Sequence, residues 1–377
     1  NIWIVGENKP NSALLSDYNP DIILVKYVQA NDQLSASISF QKAYAGISGA
    51  TRADRVVEIK KYSDTRYIIG GYTNTNSANP YDAFIASVDS TGGLAAKRKL
   101  TTTSGSEKIT SLLVHNEAVF FTMEVASSQS AGDVDLVIGK ATVGTSVIDI
   151  SWLKKIANTS YSFLNTSICV DEFDELYVTA TTRLKSDDTT KNAIWVGKFA
   201  DDGDLIWNHI YSAPTGTSID TISKCVIDIF GDLNVAFNRT TSATNQKSVD
   251  TLKLDYDGKL LKHTHNEFTS NNIEGLSAYG IDVDNSGDVY VYGQTSWNRN
   301  EILCEFASDA TDKTGHYTLT TLSATGSDAV KYEDGYAKIY GKDATAGRLL
   351  TVDTVSAADA SRTAGTYAIS ASDYTTD

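Results

Sequence analysis

Two acidic or histidine-rich stretches of this sequence have the residue types and spacing to bind a metal. The segment DVDNSGD (282–288) alternates Asp282, Asp284 and Asp288 around a glycine, as oxygen-rich calcium loops do. A calcium loop also needs a distal bidentate glutamate, and none stands at the required distance. Tight turns with glycine at a positive φ explain the same residues. We therefore favour a turn, keep Ca²⁺ as the alternative, and expect no other cofactor.

His263 and His265 form an H-x-H pair on a predicted outer strand, so both side chains point to one face. This arrangement is half of a zinc site, but the other histidines fall in other parts of the chain and no cysteine pair completes the set. We expect an exposed strand face there.

Catalytic motifs give no positive signal. The sequence has no G-x-S-x-G, no S-x-x-K and no cysteine with a histidine nearby. Its 47 acidic residues leave many carboxylate pairs of the kind that glycosidases use. The expectation is that the chain is not an enzyme, with a carbohydrate-active enzyme as an alternative.

Polar loops with aromatic residues are the remaining candidates for binding. They contain Tyr18, Asn79, Tyr81, Trp297 and Arg299. Loops carry function when a rigid scaffold presents them.

A sequence repeat predicts the scaffold that presents these loops. Short alternating stretches recur as IWIVG (2–6), RYIIGGYT (66–73), AVFFTMEV (118–125), ELYVTATT (175–182), DLNVAFNRT (232–240), DVYVYGQT (288–295) and YAKIYGKD (336–343). Six intervals cover the 335 residues from Trp3 to Lys338, which is about 56 residues each. A second motif follows each copy, as in DLVIGKAT (135–142), and a third precedes most copies, as in AYGIDVDNSGD (278–288).

A weaker strand lies between the second and third motifs, as in DLIWNHIY (204–211). Each unit thus predicts four short antiparallel strands separated by Asp, Gly and Asn turns. The prediction is an all-β fold, a β-propeller of seven four-stranded blades in which the first or last blade is incomplete or closed by a terminal strand. The predicted propeller spans 1–358, in units 1–52, 53–105, 106–163, 164–217, 218–273, 274–325 and 326–358. Residues 359–377 are predicted to be a last outer strand or the start of a further β-module. In this fold the longest loops (6–20, 43–54, 72–81, 124–133 and 182–192) open on one face, where binding is expected.

Composition excludes some partners. A net charge of −15 with scattered Lys and Arg argues against nucleic acid. No apolar run is long enough for a membrane span, so no membrane insertion is expected. Cys169, Cys225 and Cys304 are too few for a disulfide framework. Small buried hydrophobes are the favoured interpretation, although Cys169 and Cys225 lie one repeat apart and a redox pair is the alternative.

Two resemblances extend these expectations. The copies DNSGDVYVYGQT and GKFADDGDLIW resemble the bacterial SBBP β-propeller repeat family, which implies architecture and no active site. The segment DASRTAGTYAISASDYTTD (359–377) resembles a β-module of virion structural and tail-fibre-like proteins of marine tailed phages.

The resemblance to phage proteins implies a non-enzymatic scaffold in a larger virion assembly, bound to other virion proteins and contacting a host-surface glycan or protein. The alternative is an exported or cell-surface bacterial propeller that binds glycans or proteins. Because the chain starts at Asn1, we expect a processed product or a piece of a longer polypeptide.

Overall fold

The computed structural model describes the chain as β-strands and tight turns. The described residues are 2–8, 21–29, 36–44, 54–73, 81–100, 105–126, 133–158, 160–186, 191–213, 216–244, 246–267, 276–295, 301–306, 318–322, 328–331, 339–342 and 349–352. No helix occurs within these ranges, and so none that is long and apolar enough to cross a membrane.

The strands pair in antiparallel sheets that follow one another along the chain. Sheet 1 contains β1 (Ile2–Asn8), β2 (Asp21–Gln29) and β3 (Ala36–Tyr44). Sheet 2 contains β4 (Asp54–Ser63), β5 (Arg66–Thr73), β6 (Asp82–Asp89) and β7 (Leu94–Leu100). Sheet 3 contains β8 (Ser106–His115), β9 (Ala118–Ala126), β10 (Val134–Val143) and β11 (Ile148–Ile156).

The later strands continue the pattern. Sheet 4 contains β12 (Tyr161–Val170), β13 (Leu176–Leu184), β14 (Lys191–Phe199) and β15 (Leu205–Ser212). Sheet 5 contains β16 (Thr217–Ile227), β17 (Leu233–Thr241), β18 (Gln246–Leu254) and β19 (Leu260–Glu267). Sheet 6 contains β20 (Leu276–Val283), β21 (Val289–Thr295), β22 (Glu301–Phe306), β25 (Ile339–Lys342) and β26 (Leu349–Val352), and a separate pair contains β23 (Thr318–Leu322) and β24 (Asp328–Lys331).

In sheets 2 to 5 the strands pair in sequence order, which is the arrangement of propeller blades. The predicted all-β fold built of antiparallel four-stranded propeller blades is confirmed. The count of seven blades stays a prediction.

By its internal contacts the chain divides into two compact units. The first unit covers residues 1–168 with 183–188 and 201–204, and the second covers 169–182, 189–200 and 205–377. Each unit has its own apolar core between successive sheets. In the first unit Ile109, Phe121 and Val137 belong to it, and in the second Val196, Val235 and Leu252 do.

A single type of turn links many of the strands and explains the D-x-x-G pattern of the sequence. In each copy the aspartate Oδ1 accepts hydrogen bonds from the amides two and four residues later. The copies begin at Asp89, Asp171, Asp228, Asp255 and Asp284. The fourth residue has a positive φ and is glycine in four copies, whereas the Asp171 copy has Asp174 (φ 65°) there.

The first strands of sheets 2, 3, 5 and 6 each contain a β-bulge near their beginning. The extra residues are Val57, Thr110, Asp220 and Tyr279. A bulge leaves backbone groups without a ladder partner. In two of these strands a side chain accepts a nearby amide: Glu58 Oε2 accepts from Leu112 N at 2.9 Å, and Asn238 Oδ1 accepts from Ala278 N at 2.7 Å.

Candidate functional site

The clearest grouping of candidate binding residues lies in the first unit, where sheets 2 and 3 meet. Tyr72 is the next-to-last residue of β5, Tyr81 directly precedes β6, and Lys108 lies near the start of β8. The two tyrosine rings meet edge to face, with centroids 5.3 Å apart and planes at 86°. The Lys108 ammonium lies 4.2 Å from the centroid of Tyr81 and 5.6 Å from that of Tyr72. We call these three residues the tyrosine–lysine cluster.

Backbone contacts fix the position of this cluster. The amide of Glu107 donates a hydrogen bond to the carbonyl of Tyr81 at 3.0 Å, which ties the start of β8 to the end of the 72–81 loop. Beside Tyr81, the buried carboxylate of Asp82 pairs with Lys99 Nζ at 2.5 Å. The three cluster side chains are half-buried, so each is held by packing and still reaches solvent.

The chemistry of the cluster suits an amphipathic ligand. An aromatic face carries negative partial charge and attracts both cations and polarised C–H groups. The lysine adds hydrogen-bond donors at the same point. Sequence reasoning found Tyr81 through its loop. It singled out neither Tyr72, which comes close to Tyr81 through the pairing of β5 with β6 in one sheet, nor Lys108, which reaches Tyr81 only through the packing of sheet 3 against sheet 2.

The other predicted loop residues lie outside the described part of the chain. These are Tyr18, Asn79, Trp297 and Arg299. Their role in binding stays a prediction.

At the predicted calcium loop, the geometry is that of the repeated turn. Asp284 Oδ1 accepts from the amides of Ser286 (2.8 Å) and Asp288 (3.0 Å), and its Oδ2 accepts from Tyr290 Oη at 3.0 Å. Desolvation opposes ionisation of Asp284, but the amide hydrogen bonds outweigh it and hold its pKa below the usual value. Asp282 is exposed and accepts from the amide of Val283.

Residues 284–288 therefore adopt the same turn as the other copies, and Ca²⁺ binding by Asp282, Asp284 and Asp288 stays an untested alternative. In the described part of the chain, no group of three or more His, Cys, Asp or Glu side chains is placed to hold a metal ion.

The H-x-H pair lies in a buried charge cluster of the second unit. Asp250 on β18 is fully buried. Its Oδ2 lies 2.7 Å from His263 Nε2, and its Oδ1 lies 2.7 Å from His265 Nδ1. Arg239 Nε lies 3.3 Å from Oδ2, and Ser248 Oγ donates to Oδ1 at 2.9 Å. The expectation of an exposed strand face is wrong, because both imidazoles turn towards the neighbouring strand.

Two physical consequences follow for this cluster. Burial alone would raise the pKa of Asp250, but hydrogen bonds from His263 and His265 outweigh burial and, with the charge of Arg239, lower the pKa to about 2. A metal ion beside the carboxylate would also meet the fixed positive charge of Arg239.

Equivalent positions in other sheets also contain a buried aspartate that pairs with a basic residue of the next strand. Sheets 2 and 3 also have a buried aspartate near the start of the third strand, paired with a lysine of the fourth strand. Asp82 pairs with Lys99, and Asp135 pairs with Lys155 at 2.6 Å. Sheet 5 uses histidines of its fourth strand in place of the lysine. The sequence feature that indicates these buried carboxylates is the aspartate that opens the second motif in several repeats.

Comparison with known proteins gives fold-level similarity. No protein-family model and no curated protein matches the chain. A neuraminidase-like protein of A/little yellow-shouldered bat/Guatemala is 11% identical over 78% of this chain and 87% of its own, with a TM-score of 0.45. A variant of the NanB sialidase from Streptococcus pneumoniae is 7% identical over 93% and 84%, with a TM-score of 0.40. An endo-arabinase from Bacteroides thetaiotaomicron is 11% identical over 70% and 96%, with a TM-score of 0.37.

These matches correct one expectation. The matched structures include glycan-active enzymes and oxygenases beside proteins of unknown function. The prediction that the chain is not an enzyme is therefore wrong: several solved structures to which the chain is similar in fold are named as enzymes.

Proposed function

We propose that this protein recognises carbohydrate through the tyrosine–lysine cluster. The observation that carries the proposal is the convergence of Tyr72, Tyr81 and Lys108 where the 72–81 loop meets β8. A sugar ring presents an apolar C–H face and a rim of hydroxyls. Two half-buried aromatic rings with an ammonium group offer partners for both parts of that ligand.

Binding of the full chain to a glycan array, followed by calorimetric titration of the best ligand, tests the proposal. Tyr81→Ala and Tyr72→Ala should each weaken binding at least tenfold, about 1.4 kcal/mol. Tyr62→Ala is the matched control, because Tyr62 lies at the opposite end of sheet 2 and donates to the carbonyl of Glu117. Absence of any bound glycan, or equal affinity of the Tyr81→Ala variant and the parent, would refute the proposal.

Glycoside hydrolysis is the second candidate. Carboxylates on the first two strands of neighbouring sheets favour it: Glu58 follows the bulge of β4, and Glu124 on β9 accepts from Asn165 N at 2.7 Å. Glycosidases work with a pair of such carboxylates. Release of reducing ends from the bound glycan is the assay. Loss of turnover in Glu58→Gln or Glu124→Gln with unchanged affinity would establish hydrolysis. If the parent chain shows no turnover, carbohydrate recognition without hydrolysis is the remaining function.

The biological setting is a separate proposal, and it rests on the resemblance of residues 359–377 to phage virion modules. In that setting the carbohydrate belongs to a host surface and the chain is part of a virion with other virion proteins. Peptides of this chain in purified tailed-phage particles would support this setting. A gene located among bacterial export or surface-attachment genes would favour the exported propeller.

A further inference from the structure

Two cysteines that are one repeat apart in the sequence meet in the core of the second unit. Cys169 on β12 and Cys225 on β16 are both free thiols, both buried, and both members of the same apolar cluster. The Cys225 side chain lies close enough to the Cys169 thiol to contribute to raising its pKa.

Strand alternation explains why these thiols face each other. Cys169 stands two residues before the turn residue Asp171, whereas Cys225 stands three residues before the equivalent Asp228. Successive side chains of a strand point to opposite faces. The one-residue difference therefore places the two thiols on opposite faces of equivalent strands, and these faces pack together when the sheets follow one another.

The surroundings hold both side chains in place. Cys225 pairs across the ladder with Val235, and Val235 pairs with Leu252. These residues share the apolar cluster with Tyr177 and both cysteines, so neither strand is free to turn its thiol away.

We propose that Cys169 and Cys225 form a disulfide that links the first strands of sheets 4 and 5 when the chain meets a low-molecular-weight disulfide. One protein thiolate attacks a sulfur of the reagent, forms a mixed disulfide and releases one thiol. The second cysteine then attacks the protein sulfur of that mixed disulfide and releases the other thiol. The two protein thiols lose two protons and two electrons, and the reagent disulfide is reduced to two thiols.

Burial sets the rate of this reaction. Burial and the neighbouring Cys225 raise the pKa of the Cys169 thiol well above its usual value, so little thiolate is present in the folded chain. Oxidation of the folded protein should be slow and should follow local opening. Oxidation during folding should be fast, because the thiols are exposed before the sheets pack.

The test uses glutathione disulfide and the full chain in two arms. One arm incubates the folded protein, and the other refolds it from denaturant in the same redox buffer. Remaining thiols are then alkylated and the peptides are identified by mass spectrometry. The expected product is a pair of peptides joined through Cys169 and Cys225, with a mass two hydrogen atoms below the sum of the two separate peptides. The oxidised protein should melt several degrees higher than the reduced protein.

Controls separate this link from general oxidation. Cys304→Ala should form the same link, and Cys225→Ala should carry only glutathione adducts and show no rise in melting temperature. A link in both arms, or in the refolding arm alone, supports the proposal. Refolded protein with native strand content but only free thiols or glutathione adducts at Cys169 and Cys225 would overturn it.

Discussion

The indole Nε1–H of Trp207 donates a hydrogen bond to the backbone carbonyl of Tyr256 at 3.1 Å, which fastens β15 to the turn between β18 and β19. The same relation holds one repeat earlier, where Trp152 Nε1 donates to the carbonyl of Asp201 at 3.2 Å. Tryptophans on fourth strands thus hold the third-to-fourth-strand turn of the following sheet.

Gly258 gives the first prediction, because it lies against the ring of Trp207. Its φ is +80°, and an added Cβ would lie 2.6 Å from His209 Cδ2 and 2.8 Å from the Trp207 ring. Gly231 occupies the same position of an equivalent turn (φ +79°) with nothing within 4 Å. Gly231→Ala should cost about 1 kcal/mol of unfolding free energy from backbone strain alone, and Gly258→Ala about 3 kcal/mol or more. Urea unfolding measures both; equal losses would contradict the packing role.

Asp250 gives the second prediction. Its pKa in the folded chain is about 2, below the ordinary value of 3.8. The ionised carboxylate therefore stabilises the fold above about pH 4, and this contribution disappears as the pH falls through 2. The shift corresponds to about 2 kcal/mol. Asp250→Asn should lower the unfolding free energy by at least that amount at neutral pH.

Acid titration of stability checks the sign. The gap between the parent and Asp250→Asn should narrow steadily below about pH 4. Asp257→Asn, at an exposed turn position, is the control and should stay within about 0.5 kcal/mol of the parent. A gap that is constant down to about pH 2 would show that the effect is not the ionisation of Asp250.

Lys198 gives the third prediction. It is fully buried, its Nζ lies 2.6 Å from Glu175 Oε2, and it lies over the Tyr256 ring. Asp171 Oδ2 lies 3.8 Å from the same Nζ, so removing Glu175 leaves the lysine one more distant carboxylate, whereas removing the lysine leaves two carboxylates without their cation. Lys198→Met should cost about 3 kcal/mol and Glu175→Gln about 2 kcal/mol, and the double variant should lose less than the sum. Strict additivity in urea unfolding would show that the two groups do not interact.

Asn238 gives the fourth prediction. Its side chain accepts from the amide of Ala278 at 2.7 Å and donates to the Ala278 carbonyl at 3.2 Å, beside the bulge of β20. Asn238→Ala should cost about 2 kcal/mol because both backbone groups lose their buried partner. Hydrogen exchange at the Ala278 amide should accelerate at least tenfold. The amide of Val291, inside the β20–β21–β22 sheet, is the internal reference and should change less.

Much of the fold follows from local pattern. Alternating side chains predicted β17 and β21, and the segment DVDNSGD (282–288) predicted the turn at Asp284 together with its positive-φ glycine. These features depend on steric preferences within a few residues, and the sequence displays them directly.

The sites depended on contacts across strands and sheets. His265 and Asp250 are 15 residues apart and meet because β18 and β19 pair in the register that places them opposite each other. Tyr81 and Lys108 meet because the start of β8 is tied to the loop before β6. Register and sheet packing are set by turns, bulges and core volume together, and no short motif encodes them.

The sequence alone therefore determined a repeated, four-stranded all-β unit with aspartate–glycine turns. It also identified Tyr81 as a binding candidate and noted the one-repeat spacing of Cys169 and Cys225. Only the tertiary structure decided that the thiols face each other, that the H-x-H pair holds a buried carboxylate, and that Lys108 lies over two tyrosine rings. The physical reason is that alternation fixes the face on which a side chain lies, whereas sheet-to-sheet packing decides which side chain it meets.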